Sequence, residues 1–189
     1  LRLGREHAVG AVFDDIAGIL RSFVCGLSGR TLRLEQGDAS WTDSETLFLP
    51  PVIAQMESEA DNFLLAKATV TLLWAQTRFG SLAVDIVGHC AGYADPARAQ
   101  RLFHALETLR LEACIARELP GLAREMQRLK RARAEDASPA KVGAGATALA
   151  TAAAWQGFAA RLGSAAATVA DSIALLDDAD LTTRGLMKY

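Results

Sequence analysis

Apolar residues recur at three and four through most of this chain, the spacing that lines one face of a helix. Val9, Val12, Phe13, Ile16, Leu20, Phe23 and Val24 predict a first helix over 5–25, stopped by Gly26 and Gly29. Ile53, Met56, Ala60, Phe63, Val70 and Trp74 form a second stripe, and Leu64, Leu65, Leu72 and Leu73 spread it over most of the circumference. A helix that is apolar nearly all round is central and buried. Pro50-Pro51 suits its first turn and Gly80 its end, so the expected span is about 52–79.

Further along, Leu82–Val87 reads as a short helix and 88–96 as loop. Asp95-Pro96 opens a third long helix, with Leu102, Leu106, Leu109, Ala113 and Ala116 as its inner stripe. Pro120-Gly121 breaks the pattern. Leu122, Met126 and Leu129 then carry an amphipathic helix to about Arg133. A last helix covers about 146–176, with Trp155, Phe158, Leu162, Ala166, Val169, Ile173 and Leu176 as a seam facing the body or another chain.

One stretch has period two. Leu32 and Leu34 alternate with polar residues, and Leu47 and Leu49 alternate across Phe48. With Gly37-Asp38 between them, residues 31–35 and about 45–49 predict a β-hairpin lying on the helices. The fold class is therefore mostly α, a multi-helix bundle with one small β-hairpin at about 31–49. The expected organisation is a helical core with hairpin over 1–133, a linker over 134–145 and an Ala-rich helix with exit segment over 146–189. The chain starts at Leu1 and ends at Lys188-Tyr189, and reads as a piece of a longer protein.

Composition narrows the function classes. Half of the 189 residues are apolar, enough for a sizeable core, and the formal net charge is −2. That balance gives no whole-chain attraction to nucleic acid or to an anionic membrane. No apolar run is long enough for a membrane span, and no signal peptide is visible in this stretch of sequence. Cys25, Cys90 and Cys114 are far apart and form no C-x-x-C, which points to reduced thiols and a cytoplasmic location.

Candidate chemistry is thin. His89, Cys90, His104 and Cys114 invite a zinc reading, but His104 and Cys114 are almost three turns apart on one helix, too far for one ion. Glu57, Glu59 and Asp61 suit a helix N-terminus better than acid–base chemistry. Ser28 sits in Gly26-Leu-Ser-Gly29, short of G-x-S-x-G, and no phosphate-binding loop occurs. The expectation is a chain without catalytic residue, cofactor or metal. Lys67 interrupts an apolar stripe, so it either snorkels to the surface or pairs, with Glu107 as the candidate partner. Arg124, Arg128, Lys130, Arg131 and Arg133 form a basic run. The bland reading is a solvated helix face; the functional one is a docking patch, at Arg124, Arg128, Arg131 and Arg133, for an acidic protein surface.

Two blocks carry a resemblance. The first is Phe48-Leu-Pro-Pro followed by a helix through Asn62 to Phe79-Gly80-Ser81; the second is a helix with Glu107 and Arg110 that closes on Pro120-Gly121. In this order, over roughly 45–130, they resemble the N-terminal domain of the CbbO/NorD family. Ser81 stands for a Thr of the pattern, and Ala66 precedes Lys67 where an aromatic is usual. The resemblance implies a non-catalytic adaptor domain that docks on a MoxR-type AAA+ ATPase hexamer and couples it to a client enzyme. The client would be reached through a C-terminal von Willebrand factor A domain, whose Asp-x-Ser-x-Ser motif is absent here. In the CbbO branch, which we carry forward, the client is Rubisco. The alternatives are NorD-like maturation of nitric oxide reductase, or a stand-alone helical interaction or regulatory domain. A helical enzyme ranks last.

Overall fold

A computed structural model describes residues 9–136 and 146–186. The fold is mostly α with a small β element. The chain divides into two compact units, Leu1–Arg78 with Leu119–Ala137, and Phe79–Glu118 with Ser138–Tyr189. The division crosses the 1–133 segment because the long helix after Asp95 packs with helices that follow residue 146. From residue 137 on, the linker expected at 134–145 lies outside the described residues.

In the first unit, β1 (Ala11–Val12) leads directly into α1 (Phe13–Ser28). The helix expected over 5–25 is interrupted at 10–12, because Ala11 and Val12 pair antiparallel with β5 (Val52–Ile53), and residues 5–8 of that span lie outside the described residues. Phe13, Ile16, Leu20 and Val24 face inward. Gly29 ends α1 in the left-handed region, at φ 66°, and its amide returns to the Cys25 carbonyl.

Strands β2 (Arg33–Gln36), β3 (Trp41–Thr42) and β4 (Thr46–Leu49) form a sheet in the order β2-β4-β3. It lies where the hairpin is expected, but β2 and β4 run parallel, with Leu34 opposite Leu47 and Gln36 opposite Leu49. The antiparallel neighbour of β4 is β3, where Trp41 stacks on Phe48 with ring centroids 4.0 Å apart. Alternation had placed Leu32, Leu34, Leu47 and Leu49 on the buried face, and they are buried. Face is what a period of two encodes; strand direction is not. The turn before β4 is held by Asp43, whose Oδ1 accepts from the Glu45 and Thr46 amides at 3.0 and 2.7 Å.

Helix α2 (Glu59–Arg78) is the central element of this unit, and no residue from Asp61 to Thr77 is exposed. It starts well after Pro50-Pro51. Those prolines link β4 to β5, and the Pro51 carbonyl accepts from the Phe13 amide at 2.9 Å. The helix begins instead at Ser58, whose Oγ accepts from the Asp61 amide and donates to its carboxylate. Ile53 and Met56 therefore belong to the approach, and Ala60 is exposed. A later helix, Pro120–Asp136, packs on α2 through Leu122, Met126 and Leu129.

In the second unit, a 3-10 turn (Ser81–Ala83) and α3 (Ile86–Cys90) precede α4 (Pro96–Glu118). Asp95 Oδ1 accepts from the Arg98 amide at 2.9 Å, so the cap and the N-terminal proline are as expected. After Leu119, α5 (Pro120–Asp136) returns to the first unit and extends beyond Arg133. The single helix expected over 146–176 is broken into α6 (Ala146–Leu162), α7 (Val169–Ala174) and α8 (Leu176–Leu186). The break follows Gly163, and Thr168 with Asp171 starts α7. Phe158, Leu162 and Leu176 from this seam, joined by Leu175, pack with Leu102, Phe103 and Leu106 of α4, while Ala166 is exposed in the intervening turn. The seam thus faces its own unit.

Three carboxylates hold local structure and share one pH signature. Asp43 is held below the ordinary range by the Thr46 and Glu45 amides. Asp61 is lowered first by the Arg128 guanidinium and then by Ser58, and Asp171 by the backbone and hydroxyl of Thr168. A carboxylate with a lowered folded pKa adds stability above its unfolded value, near 4, and loses it as pH falls through the folded one. These groups are therefore expected to leave the urea midpoint level from pH 7 to 5 and to lower it below about pH 4. Urea titrations across that range check this, and a midpoint unchanged down to pH 3 would contradict it.

Candidate functional site

Two kinds of polar residue stand out: those sealed inside each unit and those left outside on α5. The sealed ones come first, because they include the positions that carry the family resemblance.

Asn62 is fully buried in the first turn of α2. Its Oδ1 accepts from the Gln55 and Met56 amides at 2.9 Å each, and its Nδ2 donates to the carbonyls of Val9 and Met56 at 2.9 and 3.0 Å. All four valences of the amide side chain are used. The residue fixes the segment before α2 and ties it to the start of the described chain.

Glu107 and Arg110 sit three apart on α4 and are 3% and 2% exposed. The guanidinium grips the carboxylate with two bonds, Nε to Oε2 at 3.0 Å and Nη2 to Oε1. Nη2 also donates to the Phe79 carbonyl at 3.0 Å. Ser81 donates to Oε1, and Ser172 of α7 donates to Oε2 at 2.7 Å. Burial works against the guanidinium's charge, but the Glu107 bonds outweigh it and raise the Arg110 pKa above its ordinary value. No buried side-chain nitrogen or oxygen among the described residues lacks a partner. This cluster is a joint between α4, the 3-10 turn and α7. Both oxygens of the Glu107 carboxylate are taken by protein donors.

Lys67 does not pair with Glu107, whose oxygens are taken by Arg110, Ser81 and Ser172. Its Nζ lies over the Phe23 ring, 4.9 Å from the centroid. The stem is half-buried and the charge reaches the surface beside α5, where Lys67 lines a shallow groove with Leu122, Arg124, Glu125 and Arg128. Thus Lys67 snorkels, and an aromatic face helps to position it.

All four arginines of the expected patch are exposed. Arg124, Arg128 and Arg131 share one side of α5 and line a second shallow groove with Gln127 and Ala132. Arg133 does not join them. At 100° per residue it lies about 180° round the helix from Arg124. Arg128 also differs from its neighbours, because its Nη2 meets Asp61 Oδ1 at 2.7 Å. That pair ties α5 to the first turn of α2. Its partners are 67 residues apart, and no local spacing in the sequence signals it.

The histidines are peripheral. His104 is exposed, its ring tilted against that of Phe103 with centroids 5.7 Å apart. His89 is exposed and lies in a short helix beside buried Cys90, not in a loop. Among the described residues no group of three His, Cys, Asp or Glu is placed to hold a metal, and the three cysteines are free thiols. Among them, too, no helix is long and apolar enough to cross a membrane. No family model matches the chain, and no curated protein or solved structure matches it either.

Proposed function

We propose that this chain is a non-catalytic adaptor domain that docks on a MoxR-type AAA+ ATPase ring and couples it to a client enzyme, in the manner of the CbbO branch, where the client is Rubisco. The observation that carries this reading is the division of labour among its polar residues. Asn62, Ser81, Glu107 and Arg110, the positions of the resemblance, are consumed inside their own units, Asn62 in the first and the other three in the second. The arginines of α5 are left outside on a helix whose other side, Leu122, Met126 and Leu129, is buried. A family whose shared residues are architectural and whose outer surface is charged suits a docking role better than turnover. The ring's ATPase activity supplies the energy, and this domain supplies a fixed surface.

Mixing the purified domain with MoxR-type ATPases on a sizing column, with nucleotide present, tests the reading. Co-elution with a ring is expected; elution apart from every such ATPase would overturn it. Reversing Arg124 and Arg131 to Glu is expected to weaken ring binding about tenfold at low salt, since exposed charges steer and register association. The helical circular dichroism should be unchanged. Binding equal to wild type at low and high salt would show that α5 faces away from the ring.

A further inference from the structure

We propose that the two shallow grooves flanking α5 form one receptor for an acidic helix of a partner protein, with Lys67 of α2 as its fourth cation. The proposal rests on the adaptor reading for its biological setting, but not for its geometry. The grooves share Arg124 and Arg128, so they are continuous along the helix. Arg124, Arg128 and Arg131 are spaced by four and three, and span about 10 Å of α5, at 1.5 Å per residue. A second helix laid alongside would present carboxylates at the same intervals.

The groups in the groove play different parts. Arg128 is held by Asp61, so its charge is largely answered and it acts as a strut between α5 and α2. Lys67 is held in place from below by the Phe23 ring, and its ammonium faces the groove. Arg124 and Arg131 extend from the exposed side of α5. The result is a surplus of positive charge, part of it pre-positioned, which lowers the ordering cost of binding.

The groove also favours a protein over a phosphate chain. Leu122 and Ala132 contribute apolar lining, and Glu125 places a carboxylate among the cations. A peptide helix has methylene groups for the first and a Lys or a backbone amide for the second. A nucleic-acid backbone would meet Glu125 as a like charge, and no aromatic residue lines either groove for base stacking.

The test uses a fluorescein-labelled, alanine-rich helical peptide with Glu at i, i+4 and i+7 of one face, a matched peptide with Gln at those positions, and a single-stranded RNA of equal charge. Anisotropy titrations with the whole chain are expected to show the Glu peptide binding about tenfold tighter than the Gln peptide at low salt, with the advantage shrinking as salt rises. Lys67→Gln combined with Arg124→Gln and Arg131→Gln should remove that advantage. A peptide with Lys in place of Glu should bind Arg124→Glu/Arg131→Glu better than wild type, which separates a charge effect from misfolding. Equal binding of the Glu and Gln peptides, or tighter binding of the RNA than of the Glu peptide, would overturn the proposal. Peptide binding without ring co-elution keeps the groove and removes the adaptor reading. Ring co-elution that survives the triple Gln variant keeps the adaptor reading and removes the groove from it.

Discussion

Replacing Arg110 with Met is expected to destabilise the second unit by about 3–5 kcal/mol, because removing one partner leaves a buried charge uncompensated. Glu107 would keep only its two serine donors, Ser81 and Ser172, in a site sealed from water. The Phe79 carbonyl would also lose the bond it accepts from Arg110. The cost lies in the stranded carboxylate rather than in the pair itself, so removing both partners should be milder. Glu107→Leu combined with Arg110→Met is expected to recover much of the loss, since a well-packed apolar pair of similar volume is often close to neutral. Urea denaturation of the two single variants and the double variant gives this cycle directly. An Arg110→Met shift under about 1 kcal/mol would mean that water reaches the pair.

Trp74→Ala should cost a similar amount, about 3–5 kcal/mol, for a different reason. Trp74 is 5% exposed on α2, beside the buried Leu73 and Ala75. It lines one hollow with Leu32 and Leu47, where the central helix packs on the sheet. Removing the indole opens a space that these side chains fill only in part. The denaturation midpoint of the first unit is the measurement, and a midpoint that barely moves would place Trp74 outside the core.

These two residues differ in how far the sequence declared them. Trp74 falls on a period of three and four with Phe63 and Val70, and burial follows from that pattern alone. Glu107 and Arg110 sit within the α4 pattern, where Leu106, Arg110 and Cys114 follow one another at intervals of four. A charged residue there reads as a breach of the stripe until its partner is known. The visible signal was the i, i+3 spacing of opposite charges flanked by leucines, which the family resemblance marked as a Glu-x-x-Arg core. Local chemistry was legible in the same way at Asp95-Pro96, where cap and proline act within one turn. At Pro50-Pro51 it misled, because a proline pair suits a link between strands as well as a helix start, and Ser58, seven residues after Pro51, is where the helix is capped. The direction of β2 against β4 and the Arg128–Asp61 pair were hidden for one reason: both depend on where distant segments meet.

Asn62 carries a consequence for how this unit assembles. One of its bonds reaches the Val9 carbonyl, 53 residues back along the chain. Closing so long a loop costs entropy before any contact within it repays that cost. The bonds to Gln55 and Met56 span only seven and six residues and can form while α2 is nascent. The side chain therefore acts as a clasp in two stages. It first shapes the approach to its own helix, and only later catches Val9, ahead of β1, once α1 and the sheet have brought the ends together. Fraying reverses the order: the Val9 end lets go first, and the local half of the clasp stays shut.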